Sequence, residues 1–171
     1  MQIKITYIDS AIKKYNSFEE IEKDHYNKIL EIDCSYNQIT SLPDNMNFPN
    51  LQTFNCSHNK LTSLPDNMDF PNLQTFYCYN NKLTSLPDNM NFPNLQYFDC
   101  SDNQLISLPD NMNFPNLQQL YCYFNQLTSL PVCILNFRNL QELSYHNNII
   151  VLSLQITRFI DRIQNKINST I

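Results

Sequence analysis

Cysteine recurs at positions 34, 56, 78, 100 and 122, always at the same interval, and its neighbours recur with it. Around the second of these the chain reads Leu51-Gln-Thr-Phe54-Asn-Cys56-Ser-His-Asn59-Lys-Leu61-Thr-Ser-Leu64-Pro65. The pattern restarts at Leu73, Leu95 and Leu117, and in looser form at Ile29 and Leu140. A fixed period of this length dictates a one-dimensional stack of like units, each touching only its neighbours. Equivalent residues then lie side by side in columns, so one unit specifies the rest.

The unit from Leu73 to Asn94 shows how. Thr75, Tyr77 and Tyr79 alternate with Phe76 and Cys78, as in a strand with one buried face. Asn81 stands where that strand should end and turn. Pro87, directly after Leu86, has no N–H to donate and suits the start of a turn rather than a ladder position. Asp88 and Asn89 favour the turn, Met90 and Phe92 return to the core, and Pro93-Asn94 leads into the next strand. The chain has no glycine, so asparagine is expected wherever a turn needs positive φ.

The unit L-x-x-L-x-C-x-x-N-x-L-x-x-L-P closely resembles the leucine-rich repeat family, over residues 29–153. Within that family it is most similar to the leucine-rich repeat proteins of giant DNA viruses and of some amoebae and bacteria. The resemblance implies an α/β solenoid, a leucine-rich repeat arc with a parallel β-sheet on the concave face and an irregular or 3₁₀ convex side. In a unit as short as Leu73 to Asn94 the return leg has little room for a full α-helix. Six repeats would span 29–153, between an N-terminal strand and short helix at 1–28 and a C-terminal capping helix at 154–171, all in one domain. The period stacks Asn37, Asn59, Asn81, Asn103, Asn125 and Asn148 into one inward column. In the family this asparagine satisfies backbone groups of its own and neighbouring turns. Phe48, Phe70, Phe92, Phe114 and Phe137 form a second column, with Met46, Met68, Met90 and Met112 beside it.

A stack must be sealed at both ends. Ile3, Ile5 and Tyr7 alternate as a strand would, and Ser17-Phe-Glu-Glu20 reads as a capping box opening a helix to about Tyr26. Strand, helix and first repeat strand would then make a crossover unit. At the far end Ile156, Phe159, Ile160, Ile163 and Ile167 recur at helical spacing opposite Arg158, Asp161, Arg162 and Lys166. The mixed signs on that polar face favour a capping helix over one lying on a membrane. The last unit is irregular: Phe137 comes one position late after Phe114, Tyr145 replaces the column cysteine, and Ser153 stands where a leucine was due.

Composition narrows the function. A net charge of −5 and a pI near 5.0 argue against nucleic-acid or anionic-membrane partners. No apolar run reaches the ~18 residues of a spanning helix. Met1 to Asp9 has no basic stretch leading into an apolar one, so no secretory signal is expected. The column cysteines sit at apolar strand positions and are expected to be free, as small hydrophobes of a cytoplasmic protein with reduced thiols. Their spacing offers no Cys-x-x-Cys pair for zinc, and no cofactor is expected. His25, His58 and His146 have no nucleophile and orienting carboxylate placed by the repeat, and a phosphate loop needs glycine. The chain therefore reads as a non-enzyme.

Function is then sought among the residues that alternation turns outward beside the column cysteine. The pairs are Asp33/Ser35, Asn55/Ser57, Tyr77/Tyr79, Asp99/Ser101, Tyr121/Tyr123 and Ser144/His146. At ~4.8 Å between strands, Tyr77, Tyr79, Tyr97, Tyr121, Tyr123 and Phe124 share a patch three strands wide, with Asp99 and Asp102 inside it. Tyrosine can bury ~150–250 Å². Six half-covered rings thus offer ~450–750 Å², near the ~800 Å² of one side of a standard interface. These residues are the candidate partner-binding set of a monomeric protein-interaction module. The alternative is a structural or self-associating protein in which the same patch, or an end cap, meets a second copy.

Overall fold

The computed structural model describes residues 2–168, with side chains through Asn165. The side chains of Lys166 and Ile167, and residues 169–171 of the expected cap, lie outside that description. Along the described chain run β1 (Ile3–Tyr7), β2 (Ile12–Tyr15), β3 (Ile29–Asp33), β4 (Met46–Asn47) and β5 (Thr53–Asn55). Then come β6 (Met68–Asp69), β7 (Thr75–Tyr77), β8 (Tyr97–Asp99), β9 (Gln119–Tyr121), β10 (Glu142–Ser144) and helix α1 (Leu154–Asn168). The main sheet has the order β10-β9-β8-β7-β5-β3-β1-β2. From β3 to β10 every pairing is parallel and joins equivalent residues: Phe54 faces Phe76, which faces Phe98, which faces Leu120. The return legs are irregular, with β4 pairing parallel to β6 and a 3₁₀ turn at Val132–Asn136. The molecule is a parallel-sheet solenoid of stacked leucine-rich coils.

Columns of like side chains fill its interior. Leu51, Leu73, Leu95 and Leu117 are fully buried, as are Leu61, Leu83, Leu105 and Leu127. Rings of the return-leg phenylalanines, Phe48, Phe70, Phe92, Phe114 and Phe137, follow one another at 6.0, 6.0, 5.9 and 5.8 Å between centroids. The strand phenylalanines Phe54, Phe76 and Phe98 stack at 5.4 Å. Edge-to-face contacts tie the two columns together, Phe54 to Phe70 at 5.7 Å and Phe98 to Phe114 at 5.8 Å. Each such pair adds ~0.5–1.5 kcal/mol beyond its burial. Of the methionine column, Met46, Met90 and Met112 are buried while Met68 is half-buried.

Each strand ends by turning through a residue with positive φ, at Tyr36, His58, Asn80, Asp102, Phe124 and Asn147. The turn leaves backbone groups inside the stack, and the column asparagine satisfies them. Asn81 Oδ1 accepts the Leu61 N–H at 3.0 Å, while its Nδ2 donates to the carbonyls of Cys56 (3.0 Å) and Cys78 (3.1 Å). One amide thus bonds its own turn and the preceding one. The set repeats at Asn59, Asn103, Asn125 and Asn148. A second asparagine ladder was not read from the sequence: Nδ2 of Asn72, Asn94 and Asn116 donates to the carbonyls of Pro49, Pro71 and Pro93 at 2.8, 2.9 and 2.9 Å. Cys34, Cys56, Cys78 and Cys100 place Sγ 3.3 to 3.5 Å from the carbonyls of Asn55, Tyr77, Asp99 and Tyr121 on the following strand.

The N-terminal end departs from expectation. β1 runs antiparallel to β3 and β2 antiparallel to β1, so the sheet is extended by a hairpin and no crossover exists. A tight turn makes the difference: Ser10 adopts φ 64°, and the Asp9 carboxylate accepts the Ala11 N–H at 3.0 Å. The expected helix is two 3₁₀ turns, Phe18–Glu20 and Lys23–Lys28. Ser17 makes no side-chain cap bond to the backbone, and Glu20 reaches back to the Asn16 N–H at 2.7 Å instead. Lys23–Lys28 buries no residue, so no apolar stripe holds an α-helix together there. At the other end α1 does form, burying Ile156, Phe159, Ile160 and Ile163 against the last coil. Ser153, the apparent lapse in the repeat, starts this helix: its Oγ accepts the Ile156 N–H at 3.4 Å.

Two outcomes follow from the buried columns. Asn81→Ala should lower stability by ~1–3 kcal/mol by orphaning turn groups, whereas Asn89→Ala, at an exposed turn, should cost far less; comparable shifts in Tm would contradict the ladder. All six cysteines are free, and burial pushes the Cys56, Cys78 and Cys100 thiols well above their usual range and Cys122 up to about 12. Protonated thiols are poor nucleophiles. Thiol labelling of the native protein should therefore start at half-buried Cys133, and unfolding without reductant should expose six reactive groups.

Candidate functional site

Four rows of residues cross the outer face of the sheet, one residue per repeat. The first is Glu31, Thr53, Thr75, Tyr97, Gln119, Glu142, and the second is Asp33, Asn55, Tyr77, Asp99, Tyr121, Ser144, both fixed by the strand register. Two residues on lie Ser35, Ser57, Tyr79, Ser101, Tyr123 and His146. The positive-φ turn residues from Tyr36 to Asn147 form the last row.

The second and third rows alternate in kind. In the polar strands the serine folds back on the residue two before it. Ser57 N–H and Oγ both donate to Asn55 Oδ1 (3.1 and 2.7 Å), and those of Ser101 to Asp99 Oδ1 (3.0 and 2.5 Å). Ser57 and Ser101 are therefore fully buried, contrary to the outward placement that alternation predicts. The strands are only three residues long, so period-two alternation has already lapsed at these positions. In the tyrosine strands there is no such fold-back, and rings fill the space: Tyr77 meets Tyr79 edge-on at 6.2 Å, and Tyr121 meets Tyr123 at 6.4 Å.

Register sets Asp99 directly between Tyr77 and Tyr121. Tyr97, two residues before it, contacts both neighbours, at 5.0 Å to Tyr77 and 5.2 Å to Tyr121. A short side chain thus stands in a row between larger rings, and Asp99 is only 7% exposed. Its carboxyl is pushed above the usual range by that desolvation, against the two Ser101 hydrogen bonds that hold it down and with nearby Asp102 adding to the rise. The Tyr77, Tyr97 and Tyr121 phenols are likewise raised, first by burial; Asp99 adds to each, and Glu142 lies against Tyr121. All three are neutral hydroxyls at physiological pH.

The structure brings together Tyr77, Tyr79, Tyr97, Tyr121, Tyr123 and Phe124 in one run of touching rings, with Asp99 beneath it and Asp102 exposed at its rim. The run is longer than three strands. Tyr79 continues through His58 (5.0 Å) to Tyr36 (4.0 Å), and Tyr123 continues to His146 (4.8 Å). Tyr36 and His58 were missed in the sequence, although they share a row with Phe124, and His146, read there as outward-facing, was left out of the candidate set. Among the described residues no group of three or more His, Cys, Asp or Glu side chains is placed to hold a metal ion.

This geometry can be set beside known proteins. Two copies of the family described as Leucine Rich repeats match residues 28–70 and 71–113, together half of the chain. The chain belongs to the leucine-rich repeat family. Beyond residue 113 the same register carries the repeat on through β9 and β10. Among solved structures this leucine-rich repeat protein is similar to YopM from Yersinia enterocolitica WA-314, with 27% identity and a TM-score of 0.56 over 71% of the chain. It is also similar to InlP of Listeria monocytogenes, with 27% identity and a TM-score of 0.54 over 75% of the chain. The chain spans only 28% and 40% of the lengths of those two proteins. Both are bacterial, and neither bears on the likeness to giant DNA viruses. No curated protein shows significant similarity to the chain.

Asn55 occupies the Asp99 position two repeats earlier and makes the same pair of serine hydrogen bonds, so Asp99→Asn keeps the local structure while removing a desolvated charge. A carboxyl raised in the folded state favours folding when protonated and loses that contribution as pH rises through its folded pKa. Asp99→Asn should therefore melt higher than the parent at pH 7, with the gap closing as pH falls through the carboxylate range. A variant that melts lower at pH 7 would show that the charge is locally compensated.

Proposed function

We propose that this leucine-rich repeat protein is a non-catalytic interaction module that binds a protein partner through the aromatic, mildly acidic face of its sheet. The set that would carry the contact is Tyr77, Tyr79, Tyr97, Asp99, Asp102, Tyr121, Tyr123 and Phe124. The carrying observation is the unbroken run of half-exposed rings across the face. Tyrosine supplies large contact area with little conformational entropy to lose, and it recurs at interface hot spots. Backbone strain supports the same reading. Asn80, Asp102, Asn147 and His58 accept positive φ more readily, whereas Tyr36 and Phe124 hold it at a cost, placing rings at the rim that folding does not require. Buried, protonated thiols suit a reducing intracellular compartment. No helix among the described residues is long and apolar enough to cross a membrane.

A second reading, association with another copy through the end of the stack, has its own support. Ile149, Val151 and Leu154 cluster in sequence where the last coil meets α1 and are 68, 81 and 65% exposed. A molar mass by light scattering that rises with concentration would favour it over the monomer expected here.

Replacing Tyr77 and Tyr121 with serine opens no core cavity, so stability should change by less than about 1 kcal/mol. Affinity for a partner recovered with the parent protein should fall by ~2 kcal/mol or more if the rings form a hot spot. Thr53→Ala on the ring-poor strand is the control and should bind normally. Asn55 cannot serve, because its side chain holds Ser57. An early-melting tyrosine variant, or one that keeps full affinity, would make the rings a packing feature only.

A further inference from the structure

The aromatic face carries charge of one sign. Its four rows contain Glu31, Asp33, Asp99, Asp102 and Glu142 and neither lysine nor arginine. Asp99 is the one carboxylate of these that the fold has buried. Half of it is spoken for, since Oδ1 takes both Ser101 hydrogen bonds. Oδ2 accepts none from the described residues. Because no buried side-chain oxygen among them lacks a partner, Oδ2 keeps contact with solvent. No cationic side chain among the described residues pairs with Asp99; the sole ion pair there is His25 with Glu22. Burying an unpaired carboxylate is unfavourable, and the chain's own Asn55 shows that the fold accepts an amide at this place.

Tyr77 and Tyr121 flank Asp99 from the two adjoining strands, about twice the ~4.8 Å strand spacing apart at the backbone. Tyr97 closes one side through its contacts with both. A negative oxygen beside three aromatic rings selects a cation, and a planar one best. Guanidinium stacks on aromatic rings, sheds water more readily than ammonium and donates to a carboxylate oxygen.

We infer that Asp99, framed by Tyr77, Tyr97 and Tyr121, is the receptor for a single arginine side chain presented by the protein partner. The inference rests on the binding face proposed above and names the chemistry it reads. The arginine would lay its guanidinium against these rings, donate to Asp99 Oδ2, and supply the counter-charge that the fold withholds. Asp102 and Glu142 at the margin would steer the approach.

The test uses three blocked tripeptides, glycine-X-glycine with X arginine, lysine or citrulline, titrated into the whole protein while the tyrosine ring signals are followed by NMR. The arginine peptide should shift Tyr77, Tyr97 and Tyr121 saturably at millimolar concentration. The lysine peptide should bind several-fold more weakly, and citrulline, the neutral isostere, at least tenfold more weakly. Asp99→Asn should lose at least tenfold for arginine, while Asp88→Asn, an equal change of net charge at an exposed turn, should lose nothing. Equal binding of citrulline, equal binding of lysine, or an unaltered Asp99→Asn would each overturn the assignment. Should Asp99→Asn keep full affinity for a captured partner that the Tyr77 and Tyr121 double variant has lost, the arginine receptor falls and the aromatic face stands.

Discussion

Satisfying the backbone at each turn is the constraint on which the rest of this structure depends. A coil that reverses direction every few residues leaves N–H and C=O groups pointing into an apolar stack, where an unpaired group costs ~1–3 kcal/mol. One asparagine per repeat removes the difficulty by accepting from the preceding coil and donating to carbonyls of both. Because its partners lie in two successive coils, it also fixes their spacing. The in-register sheet, the phenylalanine columns and the outer rows all inherit that spacing. A one-dimensional array couples its units through nearest-neighbour contacts, and here the polar part of that coupling is carried by backbone hydrogen bonds between successive coils together with the amide side chains.

With the interior settled by columns, the outer face is free to vary from repeat to repeat, and its variation is not random. Polar strands with a serine fold-back alternate with tyrosine strands across β5, β7, β8 and β9. The alternation creates a buried carboxylate between rings, an arrangement that stability alone disfavours. Strained aromatic residues at the turns point the same way. Departures from the locally most stable choice tend to gather at functional sites.

The two ends show how capping differs from repetition. The first coil is covered by a hairpin whose pairing is antiparallel, and the last by an amphipathic helix. Neither obeys the repeat period, because each must present a polar outer surface where no further coil follows within the described chain. Strand β1 was legible from Ile3, Ile5 and Tyr7. The direction of its pairing was not, since alternation marks a buried face and says nothing of which neighbour a strand pairs with, or in which sense.

From the period came the one-dimensional stack, the asparagine and phenylalanine columns and, with strand alternation, the burial of the column cysteines, because translation by one repeat forces equivalent side chains into contact, while the parallel sheet was what the family resemblance implied. The same logic put Tyr77, Tyr97, Tyr121 and Tyr123 on one face. What only the tertiary structure decided depends on side-chain geometry that a period does not encode. Ser57 and Ser101 turn inward because their hydroxyls fold back on Asn55 and Asp99. Asp99 is desolvated where it stands between larger residues of two other strands and receives the Ser101 fold-back. Tyr36 and His58 extend the aromatic run because the turn row lies within ring reach of Tyr79, and His146 extends it by stacking on Tyr123 in its own row. Columns follow from one-dimensional repetition, whereas contacts across a column and between rows depend on how large each neighbour is and where it leans.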